Sequence, residues 1–278
     1  MQQTEDRLTG HQPVTPRRLS PGRWLLVAAA VVVVAVVGAL LVVAAGGDDE
    51  DTVDAVTSTP TTELPQDVVD LHGLPESEDF VSLEPGRYFV DPDGATTTPL
   101  RVTFEVAAEG WSSWIGAAKF DDGGHVALSI AAVTNLVRDG CLDHRPADPV
   151  VGATVNDLAT ALTQLAPFEV SAPPSDVTMF GYSGKHLQLT VPDLPVTDAG
   201  GDRRFTDCSD DGSLQSWIDE RSGTPFFGYN GEPGRIEDFW ILDVDGTRLV
   251  LQKNGSPGTP AQDLAERDAI FNSIRIEP

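Results

Sequence analysis

The longest apolar stretch of the chain covers residues 24–45, which are 22 successive residues without a charged, amide or hydroxyl side chain. As a helix this stretch is about 33 Å long, enough to cross a hydrocarbon core of about 30 Å. The pattern therefore predicts one transmembrane helix over 24–45, with everything that follows it on one side of a membrane.

Charges on either side of this stretch predict its orientation. Three arginines precede it within residues 17–23, whereas the next Lys or Arg after it is Arg87. Because basic flanks stay in the cytoplasm, we expect residues 1–23 to be a disordered cytoplasmic tail and the C-terminal domain to lie outside the plasma membrane. A cleaved signal peptide ending at residues 43–45 is the alternative, but the apolar run exceeds the usual signal core of about 7 to 15 residues.

Residues 46–79 are acidic, rich in Thr and Pro, and free of aromatic side chains. Such a segment cannot bury enough apolar surface to fold alone. We expect it to be a flexible linker with a root-mean-square reach on the order of 30 to 35 Å. The domain that follows can then stand clear of the membrane.

From Phe80 onward, short β-type runs alternate with turn residues, which predicts a domain over 80–278. The predicted strands cover 83–90, 100–106, 111–120, 125–133, 177–191, 238–244, 247–253 and 273–276. Asp245-Gly246 between two of them is the strongest hairpin signal. Three helices are predicted, beginning at Thr154, at Ser213 and at Thr259-Pro260. Since strands outnumber helices and do not alternate with them, we predict an α+β domain with a largely antiparallel sheet packed by about three helices.

A resemblance to a known group of proteins lies in this domain. It rests on EPGRYFV, Gly110-Trp111, the two cysteines, GYSGKHLQL, WILDVDG and a closing helix that leads into Ser273-Ile274. In this order they resemble uncharacterised single-pass extracytoplasmic proteins of high-GC Gram-positive bacteria. More distantly, the two ends of the domain resemble the PsbP/Mog1-type α+β sandwich of small secreted lipoproteins. Neither resemblance implies catalytic residues.

The net charge of −25 restricts the possible partners. A surface this acidic repels nucleic-acid phosphates and anionic lipid headgroups, so we exclude nucleic acid and peripheral membrane binding by the domain. Cations and basic partners remain compatible with it. Solubility alone also explains such acidity.

Cys141 and Cys208 are the only cysteines of the chain, and both follow the predicted anchor. In an oxidising compartment outside the cytoplasm a disulfide between them is the default expectation. A redox-active pair is disfavoured because there is no C-x-x-C motif.

Two motifs look like functional sites but match poorly. Residues 207–212 imitate the start of an EF-hand calcium loop, yet the twelfth position is Ile218 where the loop needs a glutamate. Residues 181–185 approach the G-x-S-x-G nucleophile elbow, but the fifth residue is Lys185 and β-type sequence continues after it. The histidines 125, 144 and 186 are scattered without metal-binding spacing. The sequence therefore predicts no catalytic residue, no metal site and no cofactor.

Aromatic side chains are the remaining candidates for a binding site. Trp217 and Trp240 lie in apolar patterns that favour core packing, whereas Phe226, Phe227 and Tyr229 lie in a Gly/Pro-rich segment. Outside a cell such rings stack on sugars or anchor a partner protein. We expect a non-catalytic binding or sensing domain of the cell envelope, which contacts an envelope protein or cell-wall partner through Phe226, Phe227 and Tyr229. A cell-envelope hydrolase without a recognisable motif is the alternative.

Overall fold

The computed structural model of the chain describes residues 67–74, 80–95, 100–121, 124–199, 202–209, 212–219, 221, 225–227 and 232–277. The chain divides into two units, Met1–Thr59 and Pro60–Pro278, and all described residues belong to the second. The predicted tail over 1–23 and transmembrane helix over 24–45 lie outside them. Among the described residues, no helix is both long enough and apolar enough to span a bilayer.

The described chain is built mainly from β-strands. In chain order they are β1 (Val68–Asp70), β2 (Ser82–Leu83), β3 (Gly86–Val90), β4 (Arg101–Val106), β5 (Trp111–Trp114), β6 (Gly116–Asp121), β7 (Gly124–Asp139), β8 (Asp143–Pro146), β9 (Glu169–Met179), β10 (Tyr182–Thr190), β11 (Val196–Ala199), β12 (Asp202–Phe205), β13 (Gln215–Asp219), β14 (Pro225–Phe227), β15 (Ile236–Val244), β16 (Thr247–Gly255) and β17 (Arg275–Glu277). The helices are a 3-10 turn at Leu71–Gly73, α1 (Val155–Leu162) and α2 (Ala261–Asn272).

The strands form a large sheet, a small sheet and a separate hairpin. The large sheet has the order β2-β5-β6-β7-β16-β15-β10-β9, with β8 and β13 joined to β7, and with β14 joined to β13. The small sheet has the order β1-β3-β4-β17, and β11 pairs with β12. The 16-residue strand β7 pairs along its first half with β6 and β16 and along its second half with β8 and β13. It therefore organises the large sheet.

Each face of the large sheet has its own hydrophobic core. One face packs against the small sheet and α2, where Leu128, Phe104 and Phe271 belong to one buried cluster. The other face packs against α1 and β13, where Leu162 and Trp217 belong to a second cluster. Because successive residues of a strand point to opposite faces, both cores draw on the same central strands, and these strands read as continuous apolar runs.

The hairpin predicted at Asp245-Gly246 is confirmed, and the stretch predicted as a strand over 177–191 belongs to a second long hairpin. Asp245 and Gly246 both have positive φ, 50° and 92°, between β15 and β16. Phe180 and Gly181, with φ of 53° and 90°, make the same kind of turn between β9 and β10. Positive φ at both central residues is the geometry of a type I′ turn, which matches the twist of the flanking strands.

The predicted class, an α+β domain packed by about three helices, is wrong. The described chain is mostly β-sheet with two α-helices, although its large sheet is antiparallel as predicted. The helix predicted at Ser213 is instead β13, whose Trp217 pairs with Leu136 of β7. Its apolar spacing over five residues fits a helix or a strand equally well. Backbone hydrogen bonds to the second half of β7 stabilise the strand over the helix.

The other two predicted helices are confirmed. Thr154 caps α1, and its side chain and that of Asp157 form a reciprocal capping box. α2 follows Thr259-Pro260, with Pro260 as the N-cap residue. The Thr259 hydroxyl donates to the carbonyl oxygen of Ser256, so it supports the preceding turn and does not cap the helix.

Part of the segment predicted as linker takes part in the fold. β1 pairs in parallel with β3, with Val69 opposite Tyr88. Leu71, the first residue after β1, is 7% exposed and belongs to the core between the two sheets. The described part of the domain therefore begins before residue 80.

Candidate functional site

The binding residues predicted from sequence lie mostly outside the described part of the chain. Phe226 and Phe227 belong by their backbone to β14, which pairs with β13. Their side chains, and all of Tyr229, are outside the described residues. Their role in binding stays a prediction.

The tryptophans separate into core residues and one surface residue. Trp111 and Trp217 are 0% and 1% exposed, and Trp240 is 9% exposed. Core packing is thereby confirmed for Trp217 and Trp240. Trp114, in contrast, is only partly buried and packs at the margin of the core beside α1.

Trp114 belongs to a surface cluster of three rings, which we name the aromatic shelf: Phe80, Trp114 and Phe120. Phe80 is 51% exposed and Phe120 is 45% exposed. Their rings stack with centroids 4.8 Å apart, and the Trp114 ring meets Phe80 edge-on at 5.0 Å. Single exposed apolar residues are ordinary, but three rings in mutual contact form a preorganised apolar surface.

Backbone pairing at the edge of the large sheet holds the shelf in place. The Ser113 amide donates to the carbonyl oxygen of Val81 at 2.7 Å, which brings Phe80 opposite Trp114. Gly116 begins β6 with a φ of 150°, and a Cβ at this position would overlap the carbonyl oxygen of Leu128 in β7. Only glycine allows β6 to approach β7 this closely.

The shelf shares a sheet face with a group of buried charges. Phe120 pairs directly with His125 of β7, and the ring centroids are 5.5 Å apart. Directly paired residues point to the same face. Ser129, four residues further along β7, pairs with Gln252 of β16. The face therefore continues from exposed rings to polar side chains inside the core.

We name these polar side chains the buried network: His125, Glu232, Arg235, Glu237 and Gln252. Arg235 is 2% exposed and Glu237 is 0% exposed. The Arg235 guanidinium contacts Glu232 at 2.6 Å, and its Nε lies 2.8 Å from Oε1 of Glu237 without hydrogen-bond geometry. His125 Nδ1 lies 2.8 Å from Oε1 of Glu232. One arginine thus balances two carboxylates in the core.

A chain of side-chain hydrogen bonds continues the network toward β13. The Trp217 indole donates to Oε1 of Gln252 at 3.1 Å. The Gln252 amide in turn donates to Oε2 of Glu237 at 2.6 Å. Buried polar groups need such partners because an unpaired one costs roughly 1–3 kcal/mol.

Burial and neighbouring charges separate the pKa values of the two carboxylates. Burial raises the pKa of Glu237 to about 7, against the opposing charge of Arg235. Burial also acts to raise the pKa of Glu232, but the hydrogen bond from His125 and the charge of Arg235 outweigh it and lower this pKa to about 2. Burial lowers the pKa of His125. Divergent carboxylate pKa values often mark acid and base catalysts.

The geometry of the network does not suit catalysis. Glu237, the carboxyl group with the pKa near neutrality, is fully buried. The Nδ1 atom of His125 contacts Glu232 and its Nε2 atom contacts Arg235, so the imidazole has no nitrogen left to act as a base. Ser256 Oγ donates to Glu232 at 2.7 Å. The carboxylate thus lies between serine and imidazole, whereas a catalytic triad places the imidazole in the middle.

The sequence contained a signal for this network that the prediction did not use. In β15, Glu237 alternates with Phe239 and Ile241, which both belong to the core beside α1. The period of two therefore places the Glu237 carboxylate on the inward face. The signal is weakened because Trp240 and Leu242, which point to the opposite face, are also apolar.

The predicted disulfide is confirmed. Cys141 and Cys208 are bonded, with their Cα atoms 4.6 Å apart and a sequence separation of 67. Part of the EF-hand-like segment after Cys208 lies outside the described residues. Among the residues that the structure does describe, no group of three or more His, Cys, Asp or Glu side chains is arranged to hold a metal ion.

The motif at residues 181–185 begins in a hairpin turn and continues as the strand β10, so the predicted β-type sequence after it is confirmed. Gly181 lies in the turn, and Ser183 is an exposed residue of β10. The histidines are separate: His144 Nε2 contacts the carbonyl oxygen of Gly140, and His186 contacts Asp238 at 3.2 Å. The described residues show no converging nucleophile and base at any of these positions.

Comparison with known proteins gives no relative from which a function follows. No family model, no curated protein and no solved structure matches the chain. The resemblance to single-pass extracytoplasmic proteins and to the PsbP/Mog1-type sandwich stays a prediction.

Proposed function

We propose that this protein is a non-catalytic binding protein of the cell envelope, held at the membrane by residues 24–45, and that the aromatic shelf contacts its partner. The observation that carries the proposal is the stacking of two half-exposed phenylalanines beside a partly buried tryptophan. Rigid aromatic groups supply large contact area at low entropic cost, and they dominate binding energy at protein interfaces.

The charge of the chain favours a basic protein as the partner. The net charge is −25, and Glu78, Asp79, Asp121 and Asp122 are next to the shelf phenylalanines in sequence. A Lys or Arg of a partner would gain both from these carboxylates and from cation–π contact with the rings. We therefore propose an envelope protein that presents basic side chains, and we treat a cell-wall polymer as the competing outcome.

The internal contacts of the buried network support binding over hydrolysis. Its imidazole and both carboxylates have partners within the network, and the adjacent Ser256 hydroxyl donates to Glu232. The network lies directly behind Phe120 through His125. In this proposal its role is to hold the sheet rigid beneath the shelf.

Crosslinking of the full-length protein in intact cells tests the proposal. The wild type is compared with Phe80→Ala/Phe120→Ala and with the control Leu142→Ala/Val150→Ala, which removes two other exposed side chains, 68% and 67% exposed. We expect the shelf variant to lose its crosslinked protein and the control to keep it. Thermal unfolding of each variant shows whether the fold is intact.

Three results contradict the proposal in different ways. Retention of every partner by a folded shelf variant removes the shelf as the contact surface. Capture of cell-wall polymer in place of protein keeps the shelf but changes the partner class. Turnover of an envelope polymer by the purified protein favours the hydrolase alternative over a binding protein.

A further inference from the structure

Three arginines differ from the other basic side chains that the structure describes. Most of the others form ion pairs with carboxylates, at Lys119, Arg138, Arg145, Lys185, Arg221, Arg235, Lys253 and Arg267. Within the described part of the chain, the guanidinium groups of Arg87, Arg101 and Arg275 form no ion pair and no hydrogen bond. Arg101 only lies over the Phe89 ring, 5.4 Å from its centroid.

The strand register brings all three arginines to one face of the small sheet. Arg87 of β3 pairs with Glu105 of β4, and Arg275 of β17 pairs with Thr103. Residues 101, 103 and 105 alternate along β4 and so point the same way. The intervening residues Val102 and Phe104 are buried in the core. The arginines therefore occupy the outer face of this sheet.

Two of the arginines line one cavity on this face. The cavity has a volume of about 530 Å³, and Arg87, Thr103, Glu105, Asn272 and Arg275 contribute to its walls. β3 and β17 lie on opposite sides of β4, so their backbones are about 10 Å apart. This spacing leaves room for a small molecule between the two guanidinium groups. Sites for small molecules commonly have about 300–1,000 Å³.

Electrostatics limits the charge of the ligand. At physiological ionic strength the Debye length is about 8 Å, so the two guanidinium groups control the potential in the cavity, although the chain carries −25 overall. The overall charge still repels a long polyanion. Glu105 also lines the cavity, and its carboxylate disfavours a doubly charged group such as phosphate.

We propose that this cavity binds a small carboxylate that also carries a hydrogen-bond donor, of the amino acid or hydroxy acid type. The planar guanidinium groups of Arg87 and Arg275 match the two oxygens of a carboxylate. The ammonium or hydroxyl group of the ligand donates to Glu105. The site is on the small sheet, and it is independent of the aromatic shelf on the large one.

Ligand titration of the full-length protein tests the site, with alanine, lactate, acetate and inorganic phosphate as probes. Ligand-induced stabilisation in thermal unfolding reports affinity. We expect saturable binding of alanine or lactate, weaker binding of acetate, and the weakest binding of phosphate. Arg87→Gln/Arg275→Gln weakens the binding at least about tenfold. The control Arg145→Gln, at a side chain that is 71% exposed and paired with Asp143, leaves it unchanged.

Glu105→Gln distinguishes the contact with the ligand's donor group from the contact of the two arginines with its carboxylate. We expect it to weaken the binding of alanine while leaving acetate binding unchanged or stronger. Chemical shift changes at the Asn272 side-chain amide provide a second readout that does not depend on stability. The absence of saturable binding to any probe overturns the proposal, as does equal binding by the wild type and the double arginine variant. Tighter binding of phosphate than of alanine overturns the assigned ligand class.

Discussion

The aromatic shelf and the buried network lie on one face of the same sheet, yet their side chains differ in exposure and in the partners they have. In the network, one arginine that is 2% exposed holds two carboxylates, and each group has a partner inside the protein. In the shelf, Phe80 and Phe120 leave about half of their surfaces in water. Only 5.5 Å separates the ring centroids of Phe120 and His125, where the two regions meet.

This difference suggests a division of roles. Groups that satisfy one another inside the protein contribute to stability and position, and they have little capacity left for a ligand. Apolar groups that are ordered but remain exposed do not gain the free energy of burial within the protein. A bound partner that covers them can gain it. In the proposed function, the network supports the shelf and the shelf contacts the partner.

Loss of the shared arginine should have the largest effect on stability. Arg235→Met leaves the Glu232 and Glu237 carboxylates without their counter-charge, and breaking a buried charge pair in this way costs about 3–5 kcal/mol. Urea unfolding measures the free energy of unfolding of this variant. Arg145→Met, which breaks an exposed pair with Asp143, serves as the control and should change the midpoint little. Equal effects of the two changes mean that the network does not stabilise the fold.

The pH dependence of stability should show the protonation of Glu237. Its pKa is raised from 4.5 to about 7, so between these values the folded protein retains a proton that the unfolded chain has released. The stabilisation from Glu237 is therefore present below pH 4.5 and lost as the pH rises to 7. Its size is on the order of 3 kcal/mol.

Glu237→Gln isolates this effect from the opposing groups of the network. The lowered pKa of His125 removes stability as the pH falls below 6.5, and the lowered pKa of Glu232 removes stability as the pH falls from 4.5 toward 2. Both groups remain in the variant. We expect the stability of the wild type minus that of Glu237→Gln to decrease from pH 4.5 to pH 7. A difference that is constant over this range rules out the raised pKa.

A change at Gly116 should damage the shelf more than the network. Gly116→Ala places a Cβ against the Leu128 carbonyl at a φ of 150°. Overpacking of this kind costs about 1–3 kcal/mol and forces the backbone to shift. We expect the ring contacts at Phe80 to be lost while the Trp217 to Gln252 hydrogen bond persists. Side-chain NMR of both regions checks this, and an unperturbed shelf contradicts it.

The smallest effect on stability is expected at the shelf itself. Phe80→Ala removes a side chain that is 51% exposed, together with its contacts to Trp114 and Phe120. An aromatic pair contributes about 0.5–1.5 kcal/mol beyond its burial, so the loss should be about 1 kcal/mol. Thermal unfolding measures it. A loss as large as that in Arg235→Met means that the shelf belongs to the core.

The sequence predicts the local features of the fold more reliably than its class. Asp245-Gly246 and the capping box of Thr154 act through neighbouring residues, and both are found where expected. The stretch after Ser213 depends on pairing with β7, which is about 80 residues earlier in the chain. Such distant pairing leaves no periodic signal in five residues, and so the strand was predicted as a helix.

The candidate sites show the same limit. The disulfide follows from there being two cysteines in all. The shelf, in contrast, combines one residue from each of three chain segments, and only the register of β5, β6 and the residues before β2 brings them together. The outer arginines likewise come from three strands. No spacing in the sequence marks either surface.

Site-specific photo-crosslinking in intact cells tests most directly whether the shelf contacts a partner. Phe80 and, separately, Leu142 are replaced by the photoreactive residue p-benzoylphenylalanine, which keeps an aromatic ring at position 80. Both positions are exposed, at 51% and 68%. We predict that position 80 forms a crosslink to one basic envelope protein and that position 142 forms none. Equal crosslinking at the two positions, or none at position 80 in the folded protein, contradicts a binding role for the aromatic shelf.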